Sequence, residues 1–237
     1  MTKRIELLDG LRGIAVCLMI LHHITFDAVE FLGAPAALMD SIPVTMLHIV
    51  SAGLFFLLCG ISSNYSHSNI KRGLKTAAVA LLITVVTKIM DMTIVWGVLH
   101  ELAFCMLLYG IAGEAMKKIP RGLFISLVLT GFVLSLWATS RTWGIAPNAG
   151  GFLLWLLGFD SGNFASADYF PVFPWVFVFL AGTWLGRYIK EERFPKRFYE
   201  IKMPFFPAVG RHALLIYVVH QPLLYGIAMA IQYLTNR

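Results

Sequence analysis

Apolar runs of about 20 residues recur along almost the whole chain, and each is long enough as a helix to cross a hydrocarbon core of roughly 30 Å. Seven crossings are predicted, at 11–32, 44–63, 74–95, 97–115, 121–139, 170–189 and 211–233. The segment Gly151–Phe159 (GFLLWLLGF) is apolar but too short to span, and reads as a re-entrant or interfacial helix near 151–159. The expected fold class is all-α: a polytopic transmembrane helix bundle with about seven spanning helices plus that short one. It forms a single membrane-embedded domain over 1–237, with no long internal repeat, low-complexity segment or soluble domain.

Composition agrees. Of the 237 residues 58% are hydrophobic and 14% charged, where soluble domains carry about a quarter charged residues. The first apolar run is too long for the h-region of a signal peptide, carries charge and histidine, and lacks a small-residue cleavage site. A formal charge of +6 would fit a nucleic-acid partner in a soluble chain; in a membrane protein its distribution among loops matters instead, and no nucleic acid is expected. Cys17, Cys59 and Cys105 fall inside apolar runs without a CxxC pair, and read as buried free thiols.

The basic residues orient the chain. One set of loops and span ends holds Lys3, Arg4, Arg12, Lys71, Arg72, Lys75, Lys117, Lys118, Arg121, Arg187, Lys190, Arg193, Lys196, Arg197, Lys202 and Arg211. The alternate set holds only Lys88, Arg141 and Arg237 of the 19 Lys+Arg, and carries Asp27, Glu30, Asp40, Asp91, Asp160 and Asp168. This asymmetry predicts a cytoplasmic N-terminus and an outer C-terminus; the expected location is a bacterial plasma membrane, the bilayer itself being the first partner.

Ionisable groups inside spans are costly and are functional candidates by default. On the first span Arg12 and His23 are eleven residues apart, so they share a face at about 16 Å. His23, Asp27 and Glu30 continue that stripe at i, i+4 and i+7, while His22 points about 100° away and is the weaker candidate. The last span (GRHALLIYVVHQP) repeats the theme, with Arg211 at its inner edge and His220 about 14 Å further along. Tyr217 and Gln221 flank His220, and Pro222 is expected to break the helix and free a carbonyl. A snorkelling Arg12 and a His23 bonded to a neighbouring helix would account for the first stripe alone; the second stripe favours a functional wall.

His100 and Glu101 fit either an outer vestibule or an interfacial pair. His48 and His67 read as solvated or interfacial, and His212 as a headgroup contact. No histidine spacing matches a metal site, so no metal is expected. Lys71, Arg72 and Lys75, with Arg12 and Arg211, make a basic rim. Positive-inside bias produces such a rim, and an anionic phosphate-bearing ligand would use the same residues.

The stretch LDGLRGIAVCLMILHH resembles the first-helix motif of membrane acyltransferases, an arginine followed eleven residues later by a histidine. With GLFFLLCGIS (53–62), WGVLHELAFCMLL (96–108), YFPVFPWVFVFLAGTWLGR (169–187) and VGRHALLIYVVHQPLL (209–224), the chain resembles the catalytic-domain family of heparan-α-glucosaminide N-acetyltransferase, related to acyltransferase family 3. The blocks occur in family order and cover nearly the whole chain. The resemblance implies transfer of an acyl group, typically acetyl from acetyl-CoA as donor substrate, across the membrane to a hydroxyl or amine of a glycan or amino-sugar acceptor. It carries Arg12 and His23 onto the family's arginine and histidine, and Arg211 and His220 onto its final-span block. The chain is small for such an enzyme, and a homo-oligomer would be one way to complete its cavity.

In that setting Arg12, Lys71, Arg72 and Arg211 would hold the phosphates of acyl-CoA. His23 would act as general base or nucleophile, with Asp27 orienting its ring. Tyr217, His220 or Gln221 would donate to the developing oxyanion. A proton-coupled small-molecule transporter would use the same intramembrane histidines, and a non-catalytic scaffold would leave them unexplained.

Overall fold

The computed structural model describes residues 4–90, 92–140, 151–159 and 166–235. The expectations placed on Lys3, Asp91, Arg141, Asp160 and Arg237 lie outside the described residues. Among the described residues there are ten α-helices, one 3-10 turn and no strand. The helices are α1 (Glu6–Leu32), α2 (Ile42–Ser63), α3 (Asn69–Ile89), α4 (Val98–Lys118), α5 (Arg121–Ser140), α6 (Gly151–Leu157), α7 (Val172–Lys190), α8 (Lys196–Glu200), α9 (Phe206–Arg211) and α10 (Ala213–Thr235).

Six of these, α1, α2, α4, α5, α7 and α10, are long and apolar enough to cross a membrane. The protein is a polytopic bundle of membrane helices. The helix α3 has comparable length at 21 residues but carries Lys71, Arg72 and Lys75 in its first two turns and Lys88 in its last. The seven-residue α6, about 10 Å long, is too short to span, in keeping with the length of its apolar run.

Local chemistry sets the helix ends. Glu6 and Asp9 lie in the first turn of α1, where the macrodipole favours anions, and Gly33 ends the helix in the left-handed region at φ 73°. Ser68 caps α3 by accepting the Lys71 N–H at 3.2 Å. At the start of α4 the Asp168 carboxylate accepts the Val98 N–H at 3.1 Å.

Three boundaries differ from the sequence expectation. The third predicted crossing, 74–95, instead begins at Asn69 and ends at Ile89. Threonine hydroxyls compete for the backbone there: Ile94 N–H donates to Thr87 Oγ1 at 3.1 Å, and Thr84 Oγ1 donates to the Ile94 carbonyl at 2.6 Å. The backbone beyond pairs with residues 166–170, Phe170 N–H donating to the Trp96 carbonyl at 2.9 Å. The last predicted crossing, 211–233, is interrupted at His212 (φ −104°, ψ 15°), so that α9 and α10 are separate helices. Pro222 lies inside α10 without ending it, and withholds one N–H donor from the helix.

The described residues form two compact units. The first comprises Met1–Phe55 with Phe194–Arg237, the second Phe56–Arg193. In the first, α1 packs against α9 and α10. The backbones of α1 and α9 touch: a Cβ on Gly13 would collide with the Phe206 carbonyl, and one on Gly210 with the Asp9 carbonyl. In the second unit α3 packs on α4 and α5 on α7. There Gly182 and Gly186, one turn apart on α7, lie against Leu57 and Ile61 of α2, a small-residue contact of the kind that joins membrane helices. Leu127, Val133 and Leu134 of α5, and Leu215, Leu223 and Leu234 of α10, are more than half exposed. Faces that apolar suit lipid rather than water.

Candidate functional site

The site lies within the first unit and is built on α1, the first turns of α2, and α10. At the foot of α1 the buried Asp9 carboxylate accepts from Arg4 Nε at 2.5 Å and from an Arg12 Nη at 2.8 Å. The Asp9–Arg12 pair is spaced i, i+3 on one face. Arg12 is thus a tethered cation, aimed by Asp9.

Three turns along, His23 Nδ1 lies 2.9 Å from the Met19 carbonyl of its own helix. On α10, His220 Nδ1 lies 2.7 Å from the Tyr217 carbonyl. A carbonyl only accepts, so each Nδ1 carries the hydrogen, and each neutral ring keeps its lone pair on Nε2. The two rings face each other edge to face, with centroids 4.8 Å apart. Tyr217 sits against His220 at 5.6 Å.

Asp27 is buried, and its Oδ1 accepts from Gln221 Nε2 at 2.8 Å. The sequence reading gave Asp27 the task of orienting His23. In the structure the Met19 carbonyl holds that ring, and Asp27 is turned toward α10, joining the two helices through Gln221.

His22 and His48 depart furthest from expectation. His22, the weaker candidate by helical phase, packs at a tilt against His48 at 4.9 Å and meets His23 edge-on at 5.6 Å. His48, expected to be solvated or interfacial, is half-buried in this cluster. Helical spacing cannot register it, because the partner sits on another helix; the i, i+3 spacing of Asp9 to Arg12 is the one signal that marks a further site residue. Among the described residues, the buried side-chain nitrogens and oxygens without a hydrogen-bond partner are His22 Nδ1, Asp27 Oδ2, His220 Nε2 and Gln221 Oε1. All four belong to this cluster.

The other predicted cations divide. Arg211, at the end of α9, is exposed and donates its Nε–H to the Pro207 carbonyl at 3.2 Å. Lys71 and Arg72 belong to the second unit, in the first turn of α3, where an Arg72 Nη donates to Asn69 Oδ1 at 3.3 Å. That unit also buries Glu101 completely. Its two oxygens accept from Trp96 Nε1 and Cys105 Sγ, each at 3.2 Å. The neighbouring His100 Nε2 lies 3.1 Å from Thr84 Oγ1. Glu101 is therefore a bonded interior carboxyl, unlike the vestibule group the sequence allowed. Among the described residues no group of three or more His, Cys, Asp or Glu is arranged to hold a metal ion.

The tethered arginine, the facing histidines and the Asp27–Gln221 bond all lie within one stretch of family similarity. A family model for the catalytic region of heparan-alpha-glucosaminide N-acetyltransferase matches residues 4–222. No curated protein and no solved structure matches the chain. The family match runs from the foot of α1 into α10, past Gln221. This integral membrane protein belongs to the heparan-alpha-glucosaminide N-acetyltransferase catalytic family, a family of membrane acetyltransferases.

Proposed function

We propose that the protein takes an acetyl group from cytoplasmic acetyl-CoA and delivers it to a hydroxyl or amine of a glycan or amino sugar at the opposite face. The observation that carries this reading is the cluster of unpartnered buried atoms at His22, Asp27, His220 and Gln221, beside His23. Buried polar atoms are nearly always bonded within a protein, so four left together suit the polar groups of a ligand. The proposed orientation is supported by the charge asymmetry of the loops.

The residues fit the donor. Arg12 and Arg211 supply cations for its phosphates. Eleven residues of α1, about 16 Å, separate Arg12 from His23, a distance the pantetheine arm covers. The donor supplies a thioester carbonyl. His23 Nε2 takes the proton of the attacking acceptor as general base. The Met19 carbonyl holds the Nδ1–H of the imidazolium that results, the place the acceptor has in a triad, and His220 lies edge to face beside it. The Gln221 amide has two N–H donors; Asp27 uses one, and the second, with the Tyr217 hydroxyl, is the proposed donor to the oxyanion.

The test is CoA release from acetyl-CoA by the purified protein, with amino sugars and glycan fragments as acceptors. His23→Ala should lower turnover by about 10²–10⁴ and leave acetyl-CoA affinity intact. Absence of saturable acetyl-CoA binding by the wild type would sink the reading. An acetyl group found on His23 by intact-mass measurement would replace the base role with a nucleophilic one.

A further inference from the structure

A base and the neighbour set edge to face beside it account for two histidines, yet four lie in a row. From α10 to α2 they run His220, His23, His22, His48, with successive ring centroids 4.8, 5.6 and 4.9 Å apart. The groups facing the row are Asp27 on α1 and Tyr217 and Gln221 on α10. Asp27 is tied to Gln221. His22 Nδ1 is buried without a hydrogen-bond partner. His220 is buried, and His23, His22 and His48 are half-buried. His48 is six residues past the start of α2, about 9 Å along the axis. His48 is thus the end of the row, on the helix that follows the α1–α2 connection.

We infer that His22 and His48 form a proton outlet for His23, carrying the proton taken from the acceptor toward the α1–α2 end of the site. The inference rests on the base role proposed for His23. In the step, the acceptor's O–H or N–H bond breaks and its proton goes to His23 Nε2. The acceptor atom bonds the acyl carbon while the C–S bond breaks, and the thiolate leaves with the bonding pair. The proton passes from His23 to His22, then to His48 and water. The thiolate takes a proton from water on its own side, so one proton is released for each one taken up. His23 takes and releases the proton at the same Nε2, its Nδ1 being held by the Met19 carbonyl, and a neighbouring imidazole serves as the next acceptor because its ring has a second nitrogen. His22 and His48 act through His23 and position no substrate.

The experiment compares full-length wild type, His48→Gln and His48→Ala. With wild-type turnover established, His48→Gln should lower kcat about 10-fold, less than the 10²–10⁴ of a directly reacting acid–base group, with KM for acetyl-CoA unchanged. In His48→Ala, added imidazole should restore the rate, and more so as pH rises and the free base accumulates. A pair that only packs would show no such recovery. Wild-type kcat and pH profile in His48→Gln overturn the outlet and leave the base role standing. Loss of rate in His48→Ala that imidazole does not restore also overturns it. If His48→Ala loses acetyl-CoA binding, kcat of His48→Gln decides alone. A wild type that releases no CoA overturns both readings.

Discussion

Gln221 of α10 donates its side-chain amide to Asp27 of α1 at 2.8 Å, joining residues 194 positions apart in the chain. Two helices are thereby fixed in register at the level of the facing histidines. Gln221→Leu removes the donor and strips the buried Asp27 carboxyl of this bond, which should cost about 1–3 kcal/mol. A lower melting temperature in detergent is the readout. Adding Asp27→Leu to Gln221→Leu should recover much of the loss; strictly additive effects in that cycle would mean that the bond contributes no coupling.

Asp9 accepts from both Arg4 and Arg12. Asp9→Asn keeps the shape and removes the charge that aims Arg12. Acetyl-CoA affinity should fall by less than 10-fold, since a partly exposed pair contributes about 0.2–1 kcal/mol, and Arg12→Ala should cost more. Titration calorimetry orders the two variants, and an unchanged affinity in Arg12→Ala would remove Arg12 from the donor site.

Much of this arrangement is legible in the sequence, and the limit is specific. The apolar runs locate α1, α2, α4, α5, α7 and α10 because length and hydrophobicity alone decide a crossing. The stripe Arg12–His23–Asp27 is legible because residues on one helix obey a fixed rotation per residue. His48 is not, since helical phase carries no information about a partner on another helix. The end of α3 is hidden for a different reason: the hydroxyls of Thr84 and Thr87 turn the chain, and threonine in an apolar run does not by itself announce that. The break at His212 follows no proline or glycine at that position.

Gly210→Ala places a methyl group on the Asp9 carbonyl, where nothing can move except the backbone. Overpacking of this kind costs about 1–3 kcal/mol. Because Arg211 is the next residue, donor affinity should fall together with the melting temperature. Gly53→Ala, with open space around its Cβ, is the control. Wild-type stability in Gly210→Ala would show that α9 does not lie this close to α1.

Glu101 separates interior structure from chemistry. Glu101→Ala strands the Trp96 and Cys105 donors and leaves a void, with an expected cost of about 2–5 kcal/mol. Any turnover that remains in the folded variant should keep the wild-type pH profile, since Glu101 belongs to the second unit and has no assigned step. A shifted pH profile in that variant would make Glu101 part of the reaction.

Each facing histidine is anchored to a carbonyl of its own helix, His23 to Met19 and His220 to Tyr217. Its tautomer is therefore a local property, carried with the helix wherever the helix goes. If α1 and α10 slide or part during a catalytic cycle, the distance between the two Nε2 atoms changes while the identity of the reactive nitrogen does not. The pair then works as an electrical contact does: two fixed terminals, with conduction set by the gap alone.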